Sequence, residues 1–239
     1  MLKKQKNKLD FYTAHDTLIE MQPIQSRTKP PSWWKDIKNS FDQYRSRAGI
    51  SVPTPTIKTC PGVVDYMRKA ITLKLWSDVI FKVKANGDVE AIEPIHDSHI
   101  VEGAMHHSEQ YGNSLYPNRT VFKLHGPWCV KSNFPGEYML TECHYAEDLR
   151  KHDILVSPGI SNFTHQHTLN VFLVFPIKDE DYTVTLKYGT PIMSIYPMHD
   201  KHFDIEMHKT TRQGFGEHQS VFPSTFIGRY HTGIHALKN

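Results

Sequence analysis

Residues Thr168 to Phe175 read TLNVFLVF, and this stretch decides the fold class. Leu169, Val171, Leu173 and Phe175 repeat with period two, and Phe172 and Val174 between them are apolar as well. Period two sends alternate side chains to opposite faces of a strand, so apolar residues on both faces demand cover on both sides. The stretch is expected to be a buried strand of a barrel or sandwich. Downstream, Tyr182 to Lys187 (YTVTLK) alternates, Tyr188-Gly189-Thr190-Pro191 turns the chain, and Ile192 to Tyr196 follows as a further strand. Upstream, Thr120 to His125 (TVFKLH) leads into Gly126-Pro127-Trp128. Trp128 to Lys131, a turn at Phe134-Pro135-Gly136, and Glu137 to Thr141 then predict a hairpin. Asp153 to Val156 makes a short piece.

The same alternation appears earlier. Ile71, Leu73 and Leu75 form one run and Val79, Phe81 and Val83 another, and Asn86-Gly87-Asp88 is a tight hairpin turn returning through Val89 to Ile92. His96 to Pro117 shows no period and is expected as a long loop, a length that often carries function. Cys60-Pro61 opens a predicted helix to about Lys69, since proline lacks an N–H that would be unpaired in a first turn anyway. Val63, Val64 and Met67 share its apolar face. Ser32 is a candidate N-cap for a short helix to Ile37. Leu9 to Ala14 (LDFYTA) has strand character, and the prolines of residues 21–31 and 51–56 mark extended connectors.

The expected fold is mostly β, a distorted β-barrel or jelly-roll-like domain carrying one or two short helices and an extended N-terminal arm. Residues 1–55 are assigned to the arm, 56–200 to the β domain and 201–239 to a polar tail. Trp33 and Trp34, adjacent and flanked by prolines, are the arm's candidate interaction residues. They pack either on the chain's own domain or on a partner.

Composition bounds the function. With 239 residues and 38% hydrophobic content the chain can bury a core without a staple. A net charge of +3 is too small to argue for nucleic acid as a partner by itself, and none is expected. Cys60, Cys129 and Cys143 are odd in number and lack CxxC spacing, so neither a disulfide framework nor a cysteine-only zinc site is expected, and a reducing compartment fits. No apolar run reaches the ~20 residues of a membrane helix, and no apolar stretch follows the lysine-rich start as it would in a secretory signal.

Chemistry-bearing patterns are sparse. There is no GxSxG or Walker A loop, and no cysteine in a protease context. His165 and His167 flank Gln166 and would share a face if extended, with His144 as a candidate third ligand beside His125 and His152. Cupins are similar in this respect but place a glutamate just downstream, where this chain has Thr168 to Phe172. No resident metal or other cofactor is therefore expected.

Two resemblances add to this. Pro158-Gly159-Ile160-Ser161-Asn162-Phe163, the long strand after it, Gly189-Thr190-Pro191-Ile192, and Arg212-Gln213-Gly214-Phe215-Gly216 resemble the dUTPase family. The resemblance implies a β-clip barrel and a nucleotide ligand near Asn162, His165 and Arg212. That family's water-activating aspartate falls at Asn162, and an amide cannot serve as a general base. Thr59-Cys60-Pro61, Asp65-Tyr66-Met67, Leu75-Trp76-Ser77-Asp78, Gly126-Pro127-Trp128, Phe134-Pro135-Gly136-Glu137-Tyr138 and Gly189-Thr190-Pro191 are similar, in order, to an uncharacterised family of tailed bacteriophages. That similarity implies a place in the host bacterial cytoplasm or the phage particle. The leading expectation is a non-enzymatic virion or assembly module that binds a protein partner or forms a homo-oligomer, with no membrane or nucleic acid. The alternatives are a dUTPase-like nucleotide-binding or nucleotide-hydrolysing protein and a cupin-type histidine-ligated metalloenzyme.

Overall fold

Strands occupy most of the stretches where the sequence alternates. The computed structural model describes residues 7–21, 24–25, 32–45, 49–93, 101–106, 108–111, 114–143, 145–164, 168–200 and 202–217. In chain order the strands are β1 (Lys8–Thr13), β2 (Ile24–Gln25), β3 (Ser40–Arg45), β4 (Ile50–Pro55), β5 (Ile71–Lys74), β6 (Val79–Val83), β7 (Val89–Ile92) and β8 (Glu102–His106). They continue as β9 (Arg119–Ser132), β10 (Tyr138–Thr141), β11 (Leu155–Val156), β12 (Gly159–Ser161), β13 (Thr168–Pro176), β14 (Tyr182–Leu186), β15 (Pro191–Pro197) and β16 (Asp204–Lys209). The helices are short: α1 (Asp16–Met21), α2 (Pro61–Lys69), α3 (Ser108–Tyr111) and α4 (Glu147–Lys151). The fold is mostly β, as its periodicity demands.

The largest sheet runs β11-β13-β9-β1-β16. One edge of the 14-residue β9 is shared: β8 pairs with its first half and β1 with its second. A five-stranded sheet runs β12-β10-β15-β5-β2, a three-stranded one β14-β6-β7, and β3 and β4 form a two-stranded ribbon. Among the described residues none of these sheets closes into a barrel. One apolar core joins the three larger sheets, with Leu9, Phe11, Leu73, Phe81, Trp128, Leu169 and Ile195 all fully inside it. Leu169, Val171, Leu173 and Phe175 are each 0% exposed, so the deciding strand lies where its pattern puts it.

Helix α2 begins at Pro61, with Cys60 in its N-cap position, and buries Met67. The hairpin at Asn86-Gly87-Asp88 joins β6 to β7, pairing Val83 with Val89.

Two expectations are corrected. The stretch His96 to Pro117 contains β8 and α3, because Glu102 to His106 takes its hydrogen bonds from β9 rather than from an apolar pattern of its own. Trp128–Lys131 and Glu137–Thr141 do not form a hairpin: the chain turns out of the first sheet at Phe134-Pro135-Gly136, and β10 pairs with β12 and β15 instead. Gly159, in the dUTPase-like stretch, lies in β12 opposite Leu140. Strand pairing also crosses both boundaries drawn from the sequence. Residues 8–13, assigned to the arm, lie between β9 and residues 204–209, assigned to the tail.

Candidate functional site

The parallel pairing of β1 with β16 sets Lys8 beside Asp204, Asp10 beside Glu206 and Tyr12 beside His208. Leu9 and Phe11 point into the core, so the intervening residues share the outer face. On that face the Nε2 of His208 lies 2.8 Å from Asp10 Oδ1 and 3.8 Å from Glu206 Oε2. The Tyr12 ring stacks on the imidazole at 4.9 Å with planes 24° apart. Lys8 Nζ donates to the other oxygen of Glu206 at 2.6 Å, and this bond holds the ammonium pKa above its ordinary value. Lys131, paired with Asp10 across β9, lies over the Tyr12 ring at 5.6 Å. All three of Asp10, Glu206 and His208 are half-buried, and among the described residues they are a group with the donors to hold a metal ion. Sequence reading passed over them although both strands alternate. Nothing in a single chain shows that residues 198 positions apart are neighbours.

A second concavity of about 570 Å3 opens between β7 and β8 over β9. Val89, Ala91, Met105 and Phe122 supply its apolar side chains, Glu90 and Glu102 its acidic ones, and His125 lies opposite Glu102 across the strands. Gly103 lets the Phe122 ring cross the floor: a Cβ there would sit 2.3 Å from the ring. Burial, then Lys123, holds His125 below the usual imidazole range. Burial followed by the Arg212 guanidinium does the same to His15.

The residues singled out from sequence fall elsewhere. Asn162 accepts hydrogen bonds from the backbone N–H and the hydroxyl of Thr164, so its amide oxygen closes its own turn. Arg212 is exposed, in helical turns over 212–217, and its charge is felt at His15. No described contact joins Asn162 to Arg212, and neither lines the concavity. His144, His165 and His167 lie outside the described residues. Trp33 and Trp34 pack on the chain itself, with centroids 5.8 and 6.5 Å from Tyr145, and Trp34 keeps only 8% of its surface exposed. Tyr145 in turn meets Tyr66, whose ring stacks on Tyr196 and whose hydroxyl donates to Ser194 at 2.7 Å. Of the two readings of the paired tryptophans, packing within the chain accounts for Trp34.

No helix among the described residues is long and apolar enough to cross a membrane. The sequence matches no protein-family model, and no curated protein matches it.

Proposed function

We propose that the protein is a non-catalytic assembly module that joins a second copy of itself through the β3–β4 ribbon, in keeping with the resemblance to a tailed-bacteriophage family. The observation that carries this reading is the ribbon's isolation. Ser40, Phe41, Asp42 and Gln43 are all exposed, so both faces of β3 meet solvent, and no described strand pairs with β3 or β4 except the other. A lone two-stranded ribbon is at best marginally stable in water. This one keeps Phe41 at 51% and Ile50 at 54% exposure.

The ribbon's edges differ. The bond from Thr56 N to Asn39 O continues the ladder and sets its phase, so residues 40, 42 and 44 direct their backbone groups outward from β3. On β4 the outward positions include Pro53 and Pro55, which have no N–H to offer another strand. One edge is thus blocked and the other open. An open edge invites pairing, and a two-fold axis covers it in both copies and stops growth at a dimer. Antiparallel pairing of two β3 strands about Gln43 fits this phase and keeps the two Asp42 carboxylates from facing each other.

The ends of the ribbon meet at Asn39 and Thr56, 3.0 Å apart from oxygen to nitrogen, so it can be excised with a two-residue glycine linker. Light scattering should give a dimer for the full chain and a monomer for the excised chain, with the melting temperature of the body kept. Asp42→Pro, which removes one outward N–H and leaves the β3–β4 ladder bonded, should also give a monomer. A monomeric full chain, or a dimer that survives both changes, would overturn the proposal.

A further inference from the structure

The geometry points to a zinc-type site on β1 and β16, with Asp10, Glu206 and His208 as its three protein ligands. This is independent of the ribbon and of the histidines at 144, 165 and 167. Zinc takes imidazole nitrogen and carboxylate oxygen at about 2.0–2.2 Å in a tetrahedron, so its donors stand roughly 3.3 Å from one another. The separations from His208 Nε2, 2.8 Å to Asp10 and 3.8 Å to Glu206, straddle that figure. All three donor atoms lie within 4.8 Å of one another. Side-chain rotations at the donors would admit the ion, and a water would complete the fourth position.

The surroundings supply what ligands of this kind need around them. Tyr12 stacks on the imidazole and fixes its plane. Lys8 occupies Glu206 Oε1 and leaves Oε2 turned to His208, which makes the carboxylate a one-oxygen ligand. When the metal takes Nε2, the ring carries its proton on Nδ1. The same surroundings select the ion. Lys8 bonds Glu206, and Lys131, paired with Asp10, lies over the Tyr12 ring, so two ammonium groups offset part of the negative charge of Asp10, Asp204 and Glu206. Calcium and magnesium are held by charge through oxygen ligands alone. A site with one imidazole and two partly neutralised carboxylates favours an ion that bonds to nitrogen, which puts zinc ahead of either.

Bound there, zinc would tie residues 8–13 to residues 204–209 from outside the core. The test is a zinc titration by calorimetry on the full chain and on Asp10→Asn, Glu206→Gln and His208→Ala, with melting curves taken with zinc, with calcium and with neither. In the parent protein zinc should bind with one equivalent stronger than any other and raise the melting temperature, and calcium should not. Each substitution should weaken that equivalent roughly tenfold or more and abolish the thermal shift. The metal-free melting curves show which variants fold. Glu206→Gln keeps the side-chain shape and carries the test even where His208→Ala does not fold. Absence of zinc binding in the parent, or unchanged affinity and stoichiometry in the folded variants, would overturn the assignment.

Discussion

Gly126 sits where two backbones nearly touch. The register between β13 and β9 slips between Thr168 and Asn170, so Leu169 faces the Gly126-Pro127-Trp128 segment. A Cβ on Gly126 would lie 1.9 Å from the Leu169 carbonyl oxygen. The bulge takes Gly126, Pro127 and Trp128 out of the ladder, so the proline's missing N–H costs no strand pairing, and β9 runs on through it. Gly126→Ala therefore forces the two central strands apart, and the variant should fail to give a cooperative melt. Leu173→Ala, by contrast, leaves the backbone alone and empties a fully buried position. It should lower unfolding free energy by about 2–5 kcal/mol in urea denaturation. An unchanged midpoint would mean that Leu173 lies outside the core.

Strand β1 and the ribbon β3–β4 both belong to the segment that reads as an arm, yet they stand in opposite relations to the core. Leu9 and Phe11 of β1 are 0% exposed, and the strand bonds to β9 on one side and β16 on the other. Deleting residues 1–14 removes an interior strand and leaves the neighbouring apolar side chains bare. Circular dichroism of that truncation should show loss of the folded state, whereas excision of the ribbon spares it. A truncated chain that still melts cooperatively at the parent temperature would show that β1 is dispensable. LDFYTA was legible as a strand from its aromatic and alternating residues. Its interior position was not, because half its bonds come from residues 204–209, a polar stretch with only Ile205 and Met207 to suggest a strand.

Across the whole molecule, three partly buried histidines should make stability depend on acid. His15, His106 and His125 are each held below the ordinary imidazole value of 6.5, in every case mainly by burial. A depressed imidazole pKa means that the unfolded chain binds protons more readily than the folded one. Their contribution is thus fully present above about pH 6.5 and is lost as pH falls through the lowered folded values. Melting temperature measured from pH 7.5 down to pH 5 should decline below that point. His125→Gln, which cannot be charged, should make the decline shallower. A flat profile in the parent, or an identical slope in the variant, would count against the burial of these rings.

The sequence by itself determined the strand-rich class, the buried strand at Thr168–Pro176, the helix opened by Pro61 and the hairpin at Asn86-Gly87-Asp88. Each of these rests on a local cause: side-chain period, proline geometry or turn chemistry within a few residues. The tertiary structure alone decided which strands pair. It put β8 where no period showed, sent β10 to a different sheet, and brought Asp10 to Glu206 and His208. Backbone hydrogen bonding is nearly indifferent to residue type. Partner choice is therefore settled by the packing of the whole core, which holds residues nearly two hundred positions apart on adjacent strands.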